Sequence, residues 1–221
     1  MSKFLFKYPS RSRPNIFMQT FDKWYNMLSQ KHECHFLVSM DIGDRSMNNI
    51  KVKKFLENRN NTLYFVGKNK TKVQAVNANI KESKIDFSIL VLISDDMTPK
   101  IHGYDDIIYE NMIKYFPNMD GCLHFNDGRT GANLNTLSIM GKKLYDYFGY
   151  IYNPNYNSLW CDNEYTETTK NMNKSVYIDS IIIEHEWTKR TGKDWLHYKN
   201  EKYFGRDKRV YERRKAIGFP K

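Results

Sequence analysis

The sequence contains few cysteines and no long apolar segment. Its three cysteines, Cys34, Cys122 and Cys161, are an odd number at wide spacing, a pattern that matches no zinc motif and argues against a disulfide framework. No run of 18 apolar residues is present, which argues against a transmembrane helix. The N-terminal apolar stretch is too short and too interrupted to be a signal peptide. We therefore expect a soluble protein that works in the reducing cytoplasm.

Several common nucleotide and nucleic-acid motifs are also missing. The Gly-x-Gly-x-x-Gly fingerprint and the P-loop pattern are absent, which argues against a NAD enzyme or a P-loop kinase. No zinc, helix-turn-helix or RNA-recognition signature is present either. The net charge is +10, from 35 Lys and Arg against 25 Asp and Glu. The partners we expect are therefore anionic: nucleic acid, an anionic membrane surface or phosphorylated substrates.

The length of 221 residues corresponds to one domain, or to one domain with an arm. In the first hundred residues, apolar runs typical of strands cover residues 4–6, 34–40, 62–66 and 87–93. Helical patterns lie between them, over residues 14–29, 47–57 and 72–80. This alternation predicts a parallel, Rossmann-like sheet. The second half is mixed, with predicted helices over 104–115, 141–148, 162–171 and 207–216 and predicted strands over 122–125, 134–139 and 175–183.

The last strand of the first half ends in two adjacent carboxylates. Residues 87–93 are mostly apolar, as in a strand that is buried on both faces, and Ser94, Asp95 and Asp96 follow at once. Like charges in such a place repel each other and lose hydration, and a bound cation would offset both effects. Oxygen ligands at the carboxyl end of a strand favour Mg²⁺ or Mn²⁺ shared with substrate phosphates. The alternative is an Asp-rich turn before Pro99.

Charged residues also follow the first two strands. Arg11 and Arg13 lie between the first strand and a helix, where anions bind well, although two solvated loop arginines would give the same pattern. Asp41 follows the second strand. It is thus a further acidic residue at the carboxyl end of a strand, where ligands of open α/β sheets gather.

Two residues of the second half could complete a metal-dependent site. His185 follows a predicted buried strand, and together with Asp96 it could bind a divalent metal; a surface histidine is the alternative. Asp162 lies at a predicted helix start, where it could act as a general base or simply cap the helix. Neither signal is specific by itself, and the order of these residues along an α/β chain is what favours a site.

The sequence resembles the small GT-A glycosyltransferases of the family-2-like group. The resemblance covers about residues 3–190. Its most specific part is the segment Trp160-Cys161-Asp162-Asn163-Glu164 and the distance of this segment from Asp95-Asp96, which is a variant of the Asp-x-Asp motif. The other matching pieces are residues 7–14, 41, 94–97, 123–128, 150–159 and 183–187.

The resemblance implies the GT-A fold, an α/β architecture in which helices flank a Rossmann-like, mostly parallel central sheet. Residues 1–190 would form the catalytic domain, with a nucleotide-binding half over 1–100 and a sugar and acceptor half over 101–190. Residues 191–221 would form a basic, helical C-terminal arm. The implied activity is transfer of a sugar from a nucleoside-diphosphate sugar, a UDP-sugar in our interpretation, to a hydroxyl of a glycan or other acceptor. The implied reaction inverts the configuration at the anomeric carbon of the sugar and uses Mn²⁺ or Mg²⁺.

The resemblance also implies roles for individual residues. Asp96 and His185 would bind the metal. Asp162 falls where inverting members carry the Asp of a Glu-Asp pair, but Cys161 precedes it here, so Asp162 and Glu164 are both candidates for the catalytic base. The nucleotide-binding residues would be Tyr8, Ser10, Arg11, Arg13, Asp41, Lys72, Ser94 and Asp95. The sugar or acceptor pocket would contain Asn126, Asp127 and Trp160, the last of which could equally belong to the core.

Two other functions remain open from the residues alone. A metal-dependent nucleotidyltransferase would share the strand-end carboxylates and the basic charge. A non-catalytic nucleic-acid-binding protein would share the charge, but without a recognition motif we expect no nucleic-acid partner. The basic C-terminal residues could fold over a diphosphate, make peripheral contact with a membrane, bind an acidic acceptor or form a solvated helix face. These residues are Arg206, Lys208, Arg209, Arg213, Arg214 and Lys215.

Overall fold

A computed structural model describes residues 2–187 and 192–220. Its strands are β1 (Lys3–Pro9), β2 (Glu33–Asp41), β3 (Thr62–Gly67), β4 (Ile89–Leu92), β5 (Met97–Pro99), β6 (Cys122–Phe125), β7 (Ile139–Gly141), β8 (Ser175–Ile178) and β9 (Ile183–His185). Its helices are α1 (Pro14–Asn26), α2 (Ile50–Glu57), α3 (Lys72–Asn77), α4 (Tyr104–Tyr115), α5 (Lys142–Phe148), α6 (Cys161–Asn171), α7 (Trp195–Glu201) and α8 (Phe204–Ala216). In this part of the chain, every helix is too short or too polar to cross a membrane.

Seven strands form one mixed sheet in the order β3-β2-β1-β4-β7-β6-β8. β1 is parallel to both β2 and β4, and β2 is parallel to β3. β7 runs antiparallel to β4 and to β6, while β6 is parallel to β8. β5 and β9 form a separate two-stranded antiparallel sheet. The predicted α/β class with a Rossmann-like, mostly parallel sheet is therefore confirmed.

The alternation of side chains along β1 divides the core into two layers. Phe4 and Phe6 face one layer, in which the ring of Phe6 lies 4.9 Å from that of Phe36 and 6.1 Å from that of Trp24. Leu5 faces the other layer, which contains side chains of α3, α5, α6 and α8. Each fully buried aromatic side chain stabilises the fold by roughly 1.5–3 kcal/mol. The aromatic layer thus fixes α1 against the sheet, and with it the loop between β1 and α1.

The predicted strand over residues 175–183 is wrong, because the structure divides this segment between two sheets. β8 ends at Ile178, and β9 begins only at Ile183. Between them the chain turns, and the backbone N–H of Ser180 donates to the carbonyl of Ile178 over 2.8 Å. The polar residues Asp179 and Ser180 interrupt the apolar run at this turn, so β9 can leave the main sheet and pair with β5.

The predicted strand over residues 134–139 is also wrong, since β7 begins where that prediction ends. The backbone N–H of Asn135 donates to the hydroxyl of Thr166 over 3.0 Å instead of joining a strand. β7 ends at Gly141, where an added Cβ would lie 2.4 Å from the carbonyl oxygen of Met119. Only glycine therefore allows the start of α5 to approach the loop before β6 so closely.

The two C-terminal helices pack onto the domain. α8 begins at Phe204, three residues before the predicted start, and α7 is a further helix that the sequence pattern did not predict. The side chain of Asp207 is fully buried and accepts backbone N–H groups of Ser158 at 2.8 Å and Leu159 at 3.0 Å. α8 therefore holds the loop that leads into α6.

The parallel strands place the candidate residues at one edge of the sheet. β1, β2 and β4 run in the same direction, so the loops that follow Pro9, Asp41 and Leu92 emerge side by side. β5 pairs with β9 in a register that sets Met97 opposite His185. This pairing brings His185, at the end of β9, next to the two carboxylates that follow β4.

Candidate active site

A cavity of about 570 Å³ opens at this edge of the sheet. Its walls come from the loops after β1, β2 and β4, from the starts of α3 and α6, and from α7. Eleven of the residues predicted from the sequence line it: Ser10, Arg11, Arg13, Asp41, Lys72, Ser94, Asp95, Asp96, Trp160, Asp162 and His185. A cavity of this size suits a small organic ligand, and residues from both halves of the chain meet in it.

Hydrogen bonds from the end of β1 and from the loop after it hold the side chain of Asp95 in place. Its carboxylate accepts hydrogen bonds from the hydroxyl of Tyr8 at 3.0 Å and from that of Ser10 at 3.2 Å. Burial raises the pKa of Asp95 to about 7, although the charge of Arg13 acts in the opposite direction. Tyr8 does not line the cavity itself, and its hydroxyl contacts the site through Asp95.

Asp96 faces the cavity and lies beside His185. Its Oδ2 atom is 3.4 Å from Nε2 of His185, and its Oδ1 atom accepts the hydroxyl of Ser94 at 2.5 Å. Burial alone would raise the pKa of Asp96, but the nearby His185, the hydrogen bond from Ser94 and the charge of Lys72 hold that pKa well below its usual range. These contacts favour the ionised carboxylate, which is the form that binds a metal.

His185 lies between two carboxylates, and Asp127 is the second. Nδ1 of His185 is 3.6 Å from Oδ2 of Asp127, and its backbone N–H donates to the carbonyl of Asp127 over 2.9 Å. Burial lowers the pKa of His185, but the nearby carboxylates of Asp127 and Asp96 outweigh it and raise the pKa to about 9. Asp127 is not among the residues that line the cavity, and its place in the sugar pocket stays a prediction.

The donor atoms of Asp96 and His185 suit a divalent metal, because a carboxylate oxygen and an imidazole nitrogen face each other at the cavity wall. Among the residues that the structure describes, no three His, Cys, Asp or Glu side chains come together as a complete site. Protein sites for Mg²⁺ often supply only one or two carboxylates and leave the other positions to water and substrate phosphates. The pair fits that type of site.

The loop after β1 carries positive charge toward the cavity. Arg11 forms an ion pair with Asp41, whose carboxylate also accepts the backbone N–H of Asn69 at 2.9 Å. The guanidinium of Arg13 makes two hydrogen bonds to Asp194, at 2.7 Å and 2.9 Å. Both arginines therefore have carboxylate partners, and the alternative of two solvated loop arginines does not hold.

Asp162 does not cap α6. The helix begins at Cys161, its N-cap is Trp160, and no side chain makes the capping hydrogen bond. Asp162 lines the cavity from the first turn of the helix, where its Oδ1 atom accepts the backbone N–H of Asn163 at 3.1 Å and the helix dipole favours a negative charge. This position leaves Asp162 available to a bound molecule.

Trp160 has a strained backbone and an unpaired ring nitrogen. Its φ angle of 63° lies in the left-handed region, which is uncommon for a large side chain. The ring packs 5.6 Å from that of Phe204 and 5.1 Å from that of Tyr211, and its buried Nε1 has no hydrogen-bond partner among the described residues. Trp160 therefore lines the cavity and also packs on α8.

Glu164 lies on the opposite side of α6. Its carboxylate accepts hydrogen bonds from Arg214 at 2.7 Å and 3.0 Å and from the hydroxyl of Tyr156 at 2.7 Å. It faces a second, smaller cavity of about 150 Å³. Cys161, which is buried, lies between this cavity and the first one. The structure thus does not bring Glu164 to the first cavity, in contrast to Asp162.

Asn126 is also outside the cavity, and its side-chain amide donates to Asp179 over 2.8 Å.

Several lining residues were not predicted from the sequence. The guanidinium of Arg129 lies 3.7 Å from the ring centre of Trp187 at the cavity wall. α7 contributes further lining side chains, among them His197 and Lys199. No motif marks them, since only the packing of α7 brings them to the cavity.

Comparison with known proteins shows similarity at the level of structure. The sequence matches no family model and no curated protein. The mannosyltransferase PcManGT from Pyrobaculum calidifontis, solved with GDP-Man and Mn²⁺, superposes with a TM-score of 0.65 at 12% identity, over 88% of this chain and 59% of that one. Residues 1–349 of TarS from S. aureus give a TM-score of 0.62 at 9% identity, over 86% and 62%.

The same TarS fragment in complex with UDP gives a TM-score of 0.62 at 11% identity, over 82% of this chain and 60% of that chain. This chain therefore spans about 60% of the length of these solved structures. The likeness shows that the chain has the GT-A fold. The predicted fold is thus confirmed.

Proposed function

We propose that this protein is a metal-dependent glycosyltransferase that moves a sugar from a nucleoside-diphosphate sugar to an acceptor hydroxyl. One observation carries the proposal. On a GT-A fold, the Asp95-Asp96 pair, His185 and Asp162 surround a single cavity, although they come from distant parts of the sequence. A nucleotidyltransferase would need a site for a nucleoside triphosphate and a second substrate, and no observation in the described residues favours it over sugar transfer.

The donor nucleotide would lie against the loops after β1 and β2. Arg13 and Lys72 line this side of the cavity and would face the diphosphate, since Arg and Lys bind phosphate oxygens well. Asp41 and Asp95 would accept hydrogen bonds from the base and the ribose. We propose a uridine nucleotide; the solved structures that resemble this chain include complexes with GDP-Man, UDP and UDP-GlcNAc.

Asp96 and His185 would hold Mn²⁺ or Mg²⁺ beside the diphosphate. Such a cation neutralises the negative charge that develops on a leaving nucleoside diphosphate. Asp96 is half-buried at the cavity wall, so its carboxylate would be within reach of both a metal and a bound diphosphate.

Asp162 would act as the base. It would accept the proton of the acceptor hydroxyl while that oxygen attacks the anomeric carbon and the bond to the diphosphate breaks. Direct attack from the face opposite the leaving group inverts the anomeric centre. Glu164 has no part in this proposal, because Arg214 and Tyr156 occupy its carboxylate.

Nucleotide binding gives the first test. We would measure the melting temperature with UDP, GDP, TDP and CMP, each with Mn²⁺ or with EDTA, for wild type and Asp96→Asn. A ligand that binds only the folded state raises the melting temperature. We expect a Mn²⁺-dependent rise with one nucleoside diphosphate that Asp96→Asn loses.

A second measurement distinguishes sugar transfer from nucleotidyl transfer. Incubation with the matching sugar nucleotide and Mn²⁺ should release the nucleoside diphosphate, and NMR of the sugar product should show an inverted anomeric centre. Release of pyrophosphate from a nucleoside triphosphate, without cleavage of any sugar nucleotide, would contradict the proposal and support a nucleotidyltransferase.

A further inference from the structure

We propose that Asp127 is a positioning residue that fixes the ring of His185 in the tautomer with its proton on Nδ1, so that Nε2 is free to bind the metal. This inference rests on the proposed function, because it concerns the same metal site. It assigns to Asp127 a role that its sequence neighbourhood does not indicate.

The two nitrogens of His185 face different carboxylates. Nε2 lies 3.4 Å from Oδ2 of Asp96, on the cavity side. Nδ1 is buried and lies 3.6 Å from Oδ2 of Asp127, just beyond hydrogen-bond distance. A movement of about half an ångström would bring this pair within the usual range. The ring is thus oriented with one nitrogen toward the candidate metal site and the other toward Asp127.

The backbone fixes both neighbours of the ring. The N–H of His185 donates to the carbonyl of Asp127 over 2.9 Å, and the N–H of Glu186 donates to the carbonyl of Asp96 over 2.8 Å. The β5–β9 pairing also places His185 opposite Met97. Backbone hydrogen bonds therefore tie the main chains of both Asp127 and Asp96 to the end of β9.

The carboxylate of Asp127 is built as a rigid acceptor. Its Oδ1 atom accepts the backbone N–H of Arg129 at 2.9 Å and that of Thr130 at 2.7 Å, and its Oδ2 atom accepts the hydroxyl of Thr136 at 2.7 Å. The hydroxyl of Thr130 is 3.0 Å from Oδ2 but closer, at 2.8 Å, to the carbonyl of Leu134. Since one hydroxyl proton serves one acceptor, Oδ2 keeps a lone pair for His185.

The consequence for His185 follows from the chemistry of imidazole. A metal binds the neutral form of the ring, in which one nitrogen carries a proton and the other offers a lone pair. An ionised carboxylate can only accept, so Asp127 keeps the proton on Nδ1. The lone pair is then on Nε2, beside Asp96. Carboxylates that accept the remaining N–H of a metal-bound histidine act in this way in many metal sites.

Asp127→Asn tests the inference with little change of shape. The oxygen of the new amide would stay with the N–H groups of Arg129 and Thr130, so its NH₂ group would face Nδ1 and donate to it. The ring proton would then move to Nε2, which could no longer offer its lone pair. We expect Mn²⁺ in the presence of UDP to bind 10- to 100-fold more weakly, measured from the free Mn²⁺ signal in electron paramagnetic resonance.

Two control variants separate this effect from loop damage and from loss of charge. Thr136→Val removes a hydrogen bond from the same oxygen of Asp127 but keeps its charge. Asp179→Asn removes a negative charge whose hydrogen-bond partners are Asn126 and Tyr177. We expect both to bind Mn²⁺ within about threefold of wild type, a range that corresponds to less than 1 kcal/mol. Equal binding by Asp127→Asn, or an equal loss in Thr136→Val, would overturn the inference.

The tautomer of His185 can also be measured directly, without a variant at Asp127. ¹⁵N NMR of wild-type protein with UDP and Mg²⁺, assigned with His185→Gln, should show the proton of His185 on Nδ1. A proton on Nε2 would refute the inference even if the protein binds metal and nucleotide. If wild type binds no metal with any nucleotide, the proposed function fails instead, and the two failures are thereby distinguished.

Discussion

Arg13 and Asp194 join the loop after β1 to the start of α7. Two hydrogen bonds of 2.7 Å and 2.9 Å link their side chains across 181 positions of sequence. Asp194 is also the N-cap of α7, since its carboxylate accepts the backbone N–H of His197 at 2.9 Å. One side chain therefore both starts α7 and fastens it beside the cavity.

Asp194→Ala should loosen α7 more than it destabilises the whole fold. Loss of an N-cap costs about 0.5–2 kcal/mol, and the ion pair with Arg13 is lost as well. We expect faster amide hydrogen exchange over residues 195–201 and little change in β1, β2 and β4. Lys202→Ala, an exposed change just after the same helix, is the control. Unchanged exchange in α7 would show that other contacts hold the helix in place.

Asp162→Asn and Glu164→Gln should affect different properties. If Asp162 is the base, its amide variant should lose transfer activity by about 10²–10⁴-fold, the usual contribution of a positioned base, while its melting temperature stays near that of wild type. Glu164→Gln should keep activity within a few-fold but lower the melting temperature, because it breaks a largely buried pair with Arg214. Activity that depends on Glu164 and not on Asp162 would reverse the assignment.

Lys7 should make the stability of the fold depend on pH. Its side chain is fully buried, its amino group donates to the hydroxyl of Ser39 over 2.5 Å, and burial lowers the pKa of Lys7 to about 7. Between pH 7 and the unfolded value of 10.5, the unfolded chain therefore binds a proton that the folded protein does not. Over this range the Lys7 contribution to stability increases with pH, by up to about 1.4 kcal/mol per unit.

Lys7→Met isolates this effect. The difference in unfolding free energy, variant minus wild type, should fall as the pH rises from 7 to 10. Denaturant unfolding at several pH values would measure it. A difference that stays constant over this range would mean that Lys7 is protonated to the same extent in the folded and unfolded states.

Gly141→Ala should destabilise the fold severely. An added Cβ would lie 2.4 Å from the carbonyl oxygen of Met119, which is backbone and cannot rotate away. Overpacking of this kind costs about 1–3 kcal/mol and sometimes more. Gly43→Ala is the matched control, because nothing lies within 4 Å of a Cβ there. Thermal denaturation of both variants would compare them, and similar melting temperatures would contradict the role of close approach at Gly141.

The sequence predicts the first half of the fold and the acidic pair well, because both depend on local signals. Alternating apolar runs and helical patterns define β1 to β4, and two carboxylates after a buried strand are conspicuous in any context. The parallel arrangement then places Asp41 and Asp95 at the same edge without further information.

The choice between Asp162 and Glu164 needed the structure. The two residues are two positions apart on a helix, so they point to nearly opposite sides. Which side faces the cavity depends on the docking of α8, whose Arg214 pairs with Glu164. That contact joins residues 50 positions apart, and no pattern in the sequence indicates it.

Asp127 and α7 were unpredictable for a similar reason. The turn after β6 reads as a flexible loop, and nothing local shows that Asp127 meets His185 across the end of β9. α7 has seven residues and no apolar periodicity strong enough to mark it. Its position depends on Asp194 and Arg13, which lie at opposite ends of the chain.

The buried thiol of Cys161 gives the protein an internal reporter. It is 2% exposed and donates to the carbonyl of Ser158 over 3.6 Å, in the wall between the two cavities. Burial raises the pKa of this thiol, so in the closed state it is neither accessible nor ionised, and alkylating reagents need both. Its rate of modification therefore measures how often this wall opens, and a molecule that binds in either cavity should change that rate before any product is formed.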